Sequence, residues 1–175
     1  EVKPQSYITE PTFPYWLIYR NIDFDEAANK MTFGIFKSFR DRTLTKSNTA
    51  QQGKIRVLKS RNIGDNTVVD IDGYDTYIDD VSDLEVGKYL NHTECVLVPN
   101  LSYYPRACFM PQGCIADGSV AILTTSNGEQ VTKENLAYYA TEEFCKFYSI
   151  ARNRGTRSLN IDNNSVFFFG KLKTE

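Results

Sequence analysis

The residue types that could do chemistry are few, and their spacing suits little of it. The single histidine is His92, in Asn91-His92-Thr93. A serine or cysteine nucleophile needs a base that takes its proton, so any Ser/His/Asp or Cys/His system would have to be built on this one residue. Its setting reads as a surface or capping histidine. Cys95, Cys108, Cys114 and Cys145 lie 13, 6 and 31 positions apart, whereas zinc sites are built from close pairs. They read as buried, reduced thiols of a cytosolic protein. Asp70, Asp72, Asp75, Asp79 and Asp80 offer hard oxygen ligands for Mg²⁺ or Ca²⁺. They lack the spacing and closing glutamate of an EF-hand, and read as a solvated acidic face. A stand-alone hydrolase would need an unrecognised carboxylate site here, for no carboxylate pair is followed by Glu-x-Lys. Gly34, in Thr32-Phe33-Gly34-Ile35, does not make a nucleotide loop.

Charge is more informative. The 175 residues carry 20 basic and 22 acidic side chains, a formal net charge of −2. That total argues against nucleic acid, but the distribution reverses it. Lys37 to Arg61 holds eight bases and one acid, a local +7. Asp65 to Glu94 holds nine acids and one base, a local −8. Lys146 to Arg157 holds four bases and no acid. Such segregation gives a polar field at almost no net charge. Three sets of residues could face DNA. They are Lys37, Arg40, Arg42 and Lys46 in a polar stretch, Lys59, Arg61 and Asn62 at a strand exit, and Arg152, Arg154 and Arg157 at a helix end. Arginine and lysine neutralise phosphates. Arginine also forks onto guanine O6/N7, and asparagine onto adenine N6/N7. Ile55 and Val57 share a strand parity with Lys59 and Arg61, so one face turns from apolar to basic as the strand leaves the core.

The elements that must hold these residues are mostly strands. Hydrophobic residues make up 41% of the chain, the level of an ordinary globular protein. No run of about 18 apolar residues exists, so no membrane span is expected. Strands are predicted at Thr12–Tyr19, Met31–Phe36, Gly53–Leu58, Thr67–Asp72, Glu94–Val98, Arg106–Met110 and Cys114–Thr124. Gly64-Asp65-Asn66 gives the turn of a hairpin. Asp25–Lys30 reads as a turn or one helical turn, and Lys37–Gly53 as a long polar loop, a feature more often functional than idle. Leu84–Leu90 and Lys133–Ala140 read as short helices. In the last helix Thr141 is the N-cap, Phe144, Phe147, Tyr148 and Ala151 form one apolar stripe, and Gly155 is the stop. Tyr103 and Tyr104 read as packing residues, and Ser158–Ile161 and Val166–Phe169 as extended. The expected fold is α+β: a strand-rich domain with a twisted, mainly antiparallel sheet and a C-terminal helical pair.

Several stretches resemble a known family. Phe36-Lys37-Ser38-Phe39-Arg40-Asp41-Arg42, followed by Ile55-Arg56-Val57-Leu58-Lys59-Ser60-Arg61-Asn62-Ile63, is similar to the start of the target-recognition domain of modification methyltransferases. The second stretch also resembles type I restriction specificity subunits and TaqI-like C-terminal specificity domains. Val96 to Leu101, Pro105-Arg106-Ala107 and Ala116 to Leu123 resemble the middle of such domains. Glu143 to Arg157, with Asn160-Ile161, resembles their closing helix and tail. The resemblance spans roughly residues 31 to 169.

It implies a sequence-specific double-stranded DNA recognition module from the adenine-N6 DNA methyltransferase of a type II restriction–modification system, in the bacterial cytoplasm. The catalytic domain would lie upstream in the parent and use S-adenosylmethionine. This chain would carry no cofactor and no chemistry of its own. It has no Gly-rich cofactor turn, and Asn100-Leu101-Ser102-Tyr103 lacks both prolines of the Asn-Pro-Pro-Tyr loop that such enzymes use. On this reading residues 1–30 link to the catalytic domain and residues 31–175 form the recognition domain. The start at Glu1 fits a fragment of a longer protein. A protein-interaction module docking on an acidic partner is the alternative.

Overall fold

The structure, a computed structural model, describes residues 2–126, 128–154 and 159–173. It is an α+β fold of three helices and nine strands, with antiparallel pairing dominant. Helix α1 is Ile22–Asn29, α2 is Lys133–Tyr139 and α3 is Glu142–Ala151. The strands are β1 Met31–Thr32, β2 Phe36–Phe39, β3 Ile55–Leu58, β4 Thr76–Ile78, β5 Val96–Pro99, β6 Cys108–Phe109, β7 Cys114–Ala116, β8 Val120–Thr125 and β9 Lys171–Leu172.

A four-stranded antiparallel sheet in the order β2-β8-β5-β6 forms the middle layer. Side chains alternate across a strand, and here both faces are buried. Val96, Val98, Ala121 and Leu123 join one apolar cluster with α1, α2, α3 and the phenylalanines at 168 and 169. Leu97, Val120 and Ile122 join a second cluster with Val57, Leu58, Ile115 and Ala116. These last four belong to a three-stranded sheet, β4-β3-β7, in which β3 and β7 run parallel. A two-stranded ribbon, β1-β9, completes the pairing.

Each helix starts at a residue whose side chain caps it. Asn21 accepts from the Phe24 N–H at 3.0 Å, Thr132 from Asn135 at 3.4 Å and Thr141 from Phe144 at 3.2 Å, each satisfying an otherwise unpaired first-turn donor. On α3, Phe144, Phe147, Tyr148 and Ala151 are buried as the stripe predicts. The helix stops earlier than Gly155, which lies outside the described residues. Asn153 takes a left-handed φ of 51°, and asparagine tolerates that region better than most side chains.

Other expectations fail or are extended for physical reasons. Thr12–Tyr19 is not a strand, because no neighbouring strand offers it a ladder; it is a run of turns closed by bonds such as Leu17 N–H to the Ile8 carbonyl. Leu17 is fully buried, while Trp16, Ile18 and Tyr19 stay exposed. The helical turn allowed for Asp25–Lys30 is the end of a longer helix that begins at Ile22, with Asn21 as its cap. Thr67–Asp72 makes only one bridge, Ile63 with Val68. The partner of β3 is instead β4. Arg56 holds the intervening chain in place, donating to Asp70 at 2.5 Å, to the Val69 carbonyl at 3.1 Å and to Asp75 at 2.7 Å. Finally, Ser165–Phe168 is a 3-10 helix and not extended: Asp162 Oδ1 accepts from the Asn164 and Ser165 N–H groups and caps it. Nor is 159–161 a strand, since Asn160 is left-handed at φ 43°.

All four cysteines are free, and Cys95, Cys108 and Cys114 are buried. Burial pushes the Cys95 thiol up to about 11 and the Cys108 thiol to about 12, so neither forms the reactive thiolate near neutral pH. In native buffer a thiol reagent is expected to modify only half-buried Cys145, with the other three reacting after denaturation. Mass spectrometry of the labelled chain counts them directly; fast native labelling of Cys108 would contradict this packing.

Candidate nucleic-acid interface

Four strand exits meet at one short turn. Asp117-Gly118-Ser119 carries the chain from β7 in one sheet to β8 in the other. Because β3 and β7 run parallel with Leu58 opposite Ala116, Lys59 leaves the sheet beside Asp117, whose N–H donates to the Leu58 carbonyl at 3.0 Å. Because β2 pairs antiparallel with β8, Phe39 lies opposite Ile122 and Arg40 emerges at the start of β8. Its Nε donates to the Gly118 carbonyl at 3.2 Å. Pro99, at the end of β5, lies opposite Val120, and the Asn100 N–H donates to Ser119. Register alone thus brings Arg40, Lys59 and Arg61 to one rim, although the chain separates them by up to 21 positions.

The approach at Gly118 is close. A Cβ there would stand 2.4 Å from the Asp41 carbonyl oxygen. Only glycine lets the 40–41 backbone lie against the turn. Asp41 is itself buried and accepts from the N–H groups of Thr43 and Leu44, folding the next loop over the sheet end. That loop forms one wall of a cleft of about 640 Å³, whose other walls include Val57, Lys59, Tyr74 and Asp117.

The basic groups divide by environment. Arg40, Arg42, Lys46 and Arg61 are exposed, as is Lys37 on edge strand β2. Lys59 is half-buried. Its ammonium donates to the Tyr74 carbonyl and sits 4.0 Å from the centre of the Tyr74 ring. The Arg61 guanidinium lies 4.8 Å from the same ring, so one tyrosine steadies two cations. Burial lowers the Lys59 pKa and nearby Lys46 adds to that, while Asp117 and Asp75 oppose it. Burial likewise raises Tyr74.

Asn62 is a structural residue and not an exposed reader. It is fully buried, with its Oδ1 accepting from the Lys59 N–H at 3.0 Å and its Nδ2 donating to the Val69 carbonyl at 3.0 Å and to Asp75 at 2.6 Å. No amide edge is left for adenine. Arg152 is also largely committed, with 15% of its side chain exposed and its Nη1 3.3 Å from Asp162. Arg154 is exposed and lies over Tyr19, 5.4 Å from the ring centre. It stands against the N-terminal segment, where Asn153 bonds to Trp16 and Ile18, and not at the four-strand rim. Arg157 lies outside the described residues.

Of the five aspartates, Asp70, Asp72, Asp79 and Asp80 are exposed, as the reading of a solvated acidic face expects, and Asp75 is half-buried. Asp70 and Asp75 pair with Arg56, Asp79 accepts from the Lys54 N–H, and Asp80 accepts from Ser82. Part of the charge segregation seen along the chain therefore cancels in space, while Arg40 and Arg61 make no ion pair among the described residues. Among the described residues no group of three or more His, Cys, Asp or Glu side chains is placed to hold a metal. His92 is exposed and bonds Glu94 at 2.8 Å.

Two aromatic residues at this rim are not packing residues. Tyr103 and Tyr104 are 70% and 69% exposed. Arg106 anchors their loop from beneath, donating to Ser102 at 2.6 Å and to the carbonyls of Ser60 and Ile63. The sequence signal was present in Ser102-Tyr103-Tyr104-Pro105, a loop with neither apolar neighbours nor strand parity to bury its rings. Asp117 and Tyr74 carry no such signal, since their role depends on the crossing of two sheets.

The chain matches no protein-family model, and no curated protein is similar enough to align with it.

Proposed function

We propose that this chain is the DNA target-recognition module of an S-adenosylmethionine-dependent adenine-N6 methyltransferase of a bacterial, cytoplasmic restriction–modification system. The observation that carries the reading is the convergence of exposed Arg40 and Arg61 with Lys59, Tyr103 and Tyr104 at one sheet end. Cations on a rigid rim position a duplex through its phosphates, and arginines among them can read guanine. The cofactor belongs to the upstream domain of the parent.

Titration of labelled duplex DNA, followed by fluorescence anisotropy at several salt concentrations, tests the reading. Affinity is expected to fall steeply with salt. Arg40→Ala and Arg61→Ala should each weaken it by about 1–3 kcal/mol where a base edge is read. A replacement at Arg42 that contacts only phosphate should weaken all sequences alike and shallow the salt slope by about one. Binding indifferent to salt and to all three replacements would sink the proposal.

A second reading, docking on another protein, is favoured at one separate place. Trp16, Ile18, Tyr19 and Ile22 are all 48% or more exposed, and clustered exposed apolar side chains mark contact surfaces. In the parent protein this segment is where the catalytic domain would pack. Titrating the chain with a separately produced methyltransferase core, against duplex DNA, distinguishes the two.

A further inference from the structure

We infer that the cleft beside the rim binds a single nucleotide, with its phosphate on Lys46 and Lys59 and a base N–H on Asp117. The inference rests on the DNA-recognition reading only for the source of that nucleotide. The cleft measures about 640 Å³, inside the range of about 300–1,000 Å³ for small-ligand sites. A bare phosphate would leave most of it to water.

Its lining carries both signs of charge. Two of the lining residues are lysines. The Lys59 ammonium has three N–H donors and spends one on the Tyr74 carbonyl. It is held near Lys46, a like charge that an anion between them would relieve. The lining also includes Asp117, whose charge acts on Lys59. Its Oδ1 accepts from the Ser119 N–H at 2.9 Å and the Ser119 hydroxyl at 2.6 Å. Among the described residues no hydrogen bond reaches its Oδ2. This carboxylate repels a plain phosphate and asks for a donor, such as the exocyclic amine of a base. Half-buried Leu44 adds apolar lining for a ring face, with buried Val57 behind the cleft wall. A ligand that combines an anion, a flat ring and an N–H donor meets all three demands. The source is either a free mononucleotide or an unpaired nucleotide in a DNA strand.

The test uses calorimetry of the intact chain with the four 2′-deoxynucleoside 5′-monophosphates and with inorganic phosphate. It adds anisotropy with a paired duplex and with the same duplex carrying one unpaired nucleotide. At least one monophosphate is expected to bind more tightly than phosphate. Lys46→Ala, at an exposed position, should weaken it about tenfold, the loss of one charge-assisted bond. Asp117→Asn should change which base is preferred, since the amide oxygen can still serve Ser119. Lys146→Ala, on α3, should change nothing, and thermal unfolding of each variant shows that it is folded. Tighter binding of the unpaired duplex, lost in Lys46→Ala, supports a strand as the source. Monophosphate binding without that gain supports a free nucleotide. No monophosphate binding, or binding equal to that of phosphate, overturns the inference even when the paired duplex binds. Monophosphate binding by a chain that ignores the paired duplex would retain the site and defeat the DNA-recognition reading instead.

Discussion

Replacing Asn62 with leucine is expected to destabilise the fold by about 3 kcal/mol and to weaken DNA binding only through that loss of structure. Leucine keeps the branched shape of asparagine but is bulkier, so no cavity opens and crowding adds to the cost. What goes is the hydrogen bonding. The Lys59 N–H and Asp75 Oδ1 lose their amide partner, while the Val69 carbonyl keeps its bond from Arg56. Each unpaired buried group costs about 1–3 kcal/mol, with partial relaxation reducing the sum. The change also has a pH signature. Burial works to raise the Asp75 pKa, but the Asn62 amide, the Ile71 N–H and Arg56 together hold it below the ordinary aspartate value. A depressed carboxyl contributes stability that is complete above its unfolded pKa and is lost as pH falls through the folded value. Asn62→Leu removes one cause of the depression, so the acid limb of the stability curve should flatten. Urea unfolding between acid and neutral pH measures both effects. An unchanged midpoint with an altered base preference would show instead that Asn62 reads DNA.

Phe168→Ala is expected to cost about 3–5 kcal/mol, the range for emptying a buried aromatic site. Phe168 is fully buried and lies within 5.3–6.4 Å of the rings of Phe13, Tyr15, Phe24, Phe33, Phe147 and Phe167. It therefore ties the N-terminal turns to α1, to the β1–β2 connection and to α3. Its loss should expose the 8–20 segment first, which limited proteolysis detects as early cleavage there. The rim residues rest on the other apolar cluster, with Val57, Leu58 and Ile63. Duplex binding well below the new unfolding midpoint should be nearly unchanged. Loss of binding in a variant that is still folded would show that the two clusters are more tightly linked than their separate packing indicates.

Much of the fold was legible where local physics decides it. The α3 stripe and its Thr141 cap, the β3 run of Ile55 to Leu58 and the apolar β5 and β8 strands need only periodicity and capping to be read. Errors fell where a partner decides. Thr12–Tyr19 has strand composition but nothing to pair with. Thr67–Asp72 has it too, but Arg56 bends that stretch around its guanidinium, and β4 takes the place beside β3. Cys114–Thr124 looked like one strand because Asp117-Gly118-Ser119 is too short to read as a crossing between sheets.

The sequence by itself determined the residue chemistry: one histidine, four dispersed cysteines, and a basic stretch from Lys37 to Arg61 next to an acidic one. It determined the fold class too, since both are written in residue types and short periods. Only the tertiary structure decided which charges are free. Arg56 and the neighbouring aspartates neutralise one another, Asn62 is consumed inside, and Arg152 turns to Asp162. Arg40, Lys59 and Arg61 reach one rim because parallel β3–β7 and antiparallel β2–β8 pairing end at the same turn. Strand register is a long-range property, and no local pattern around any one of these residues encodes it.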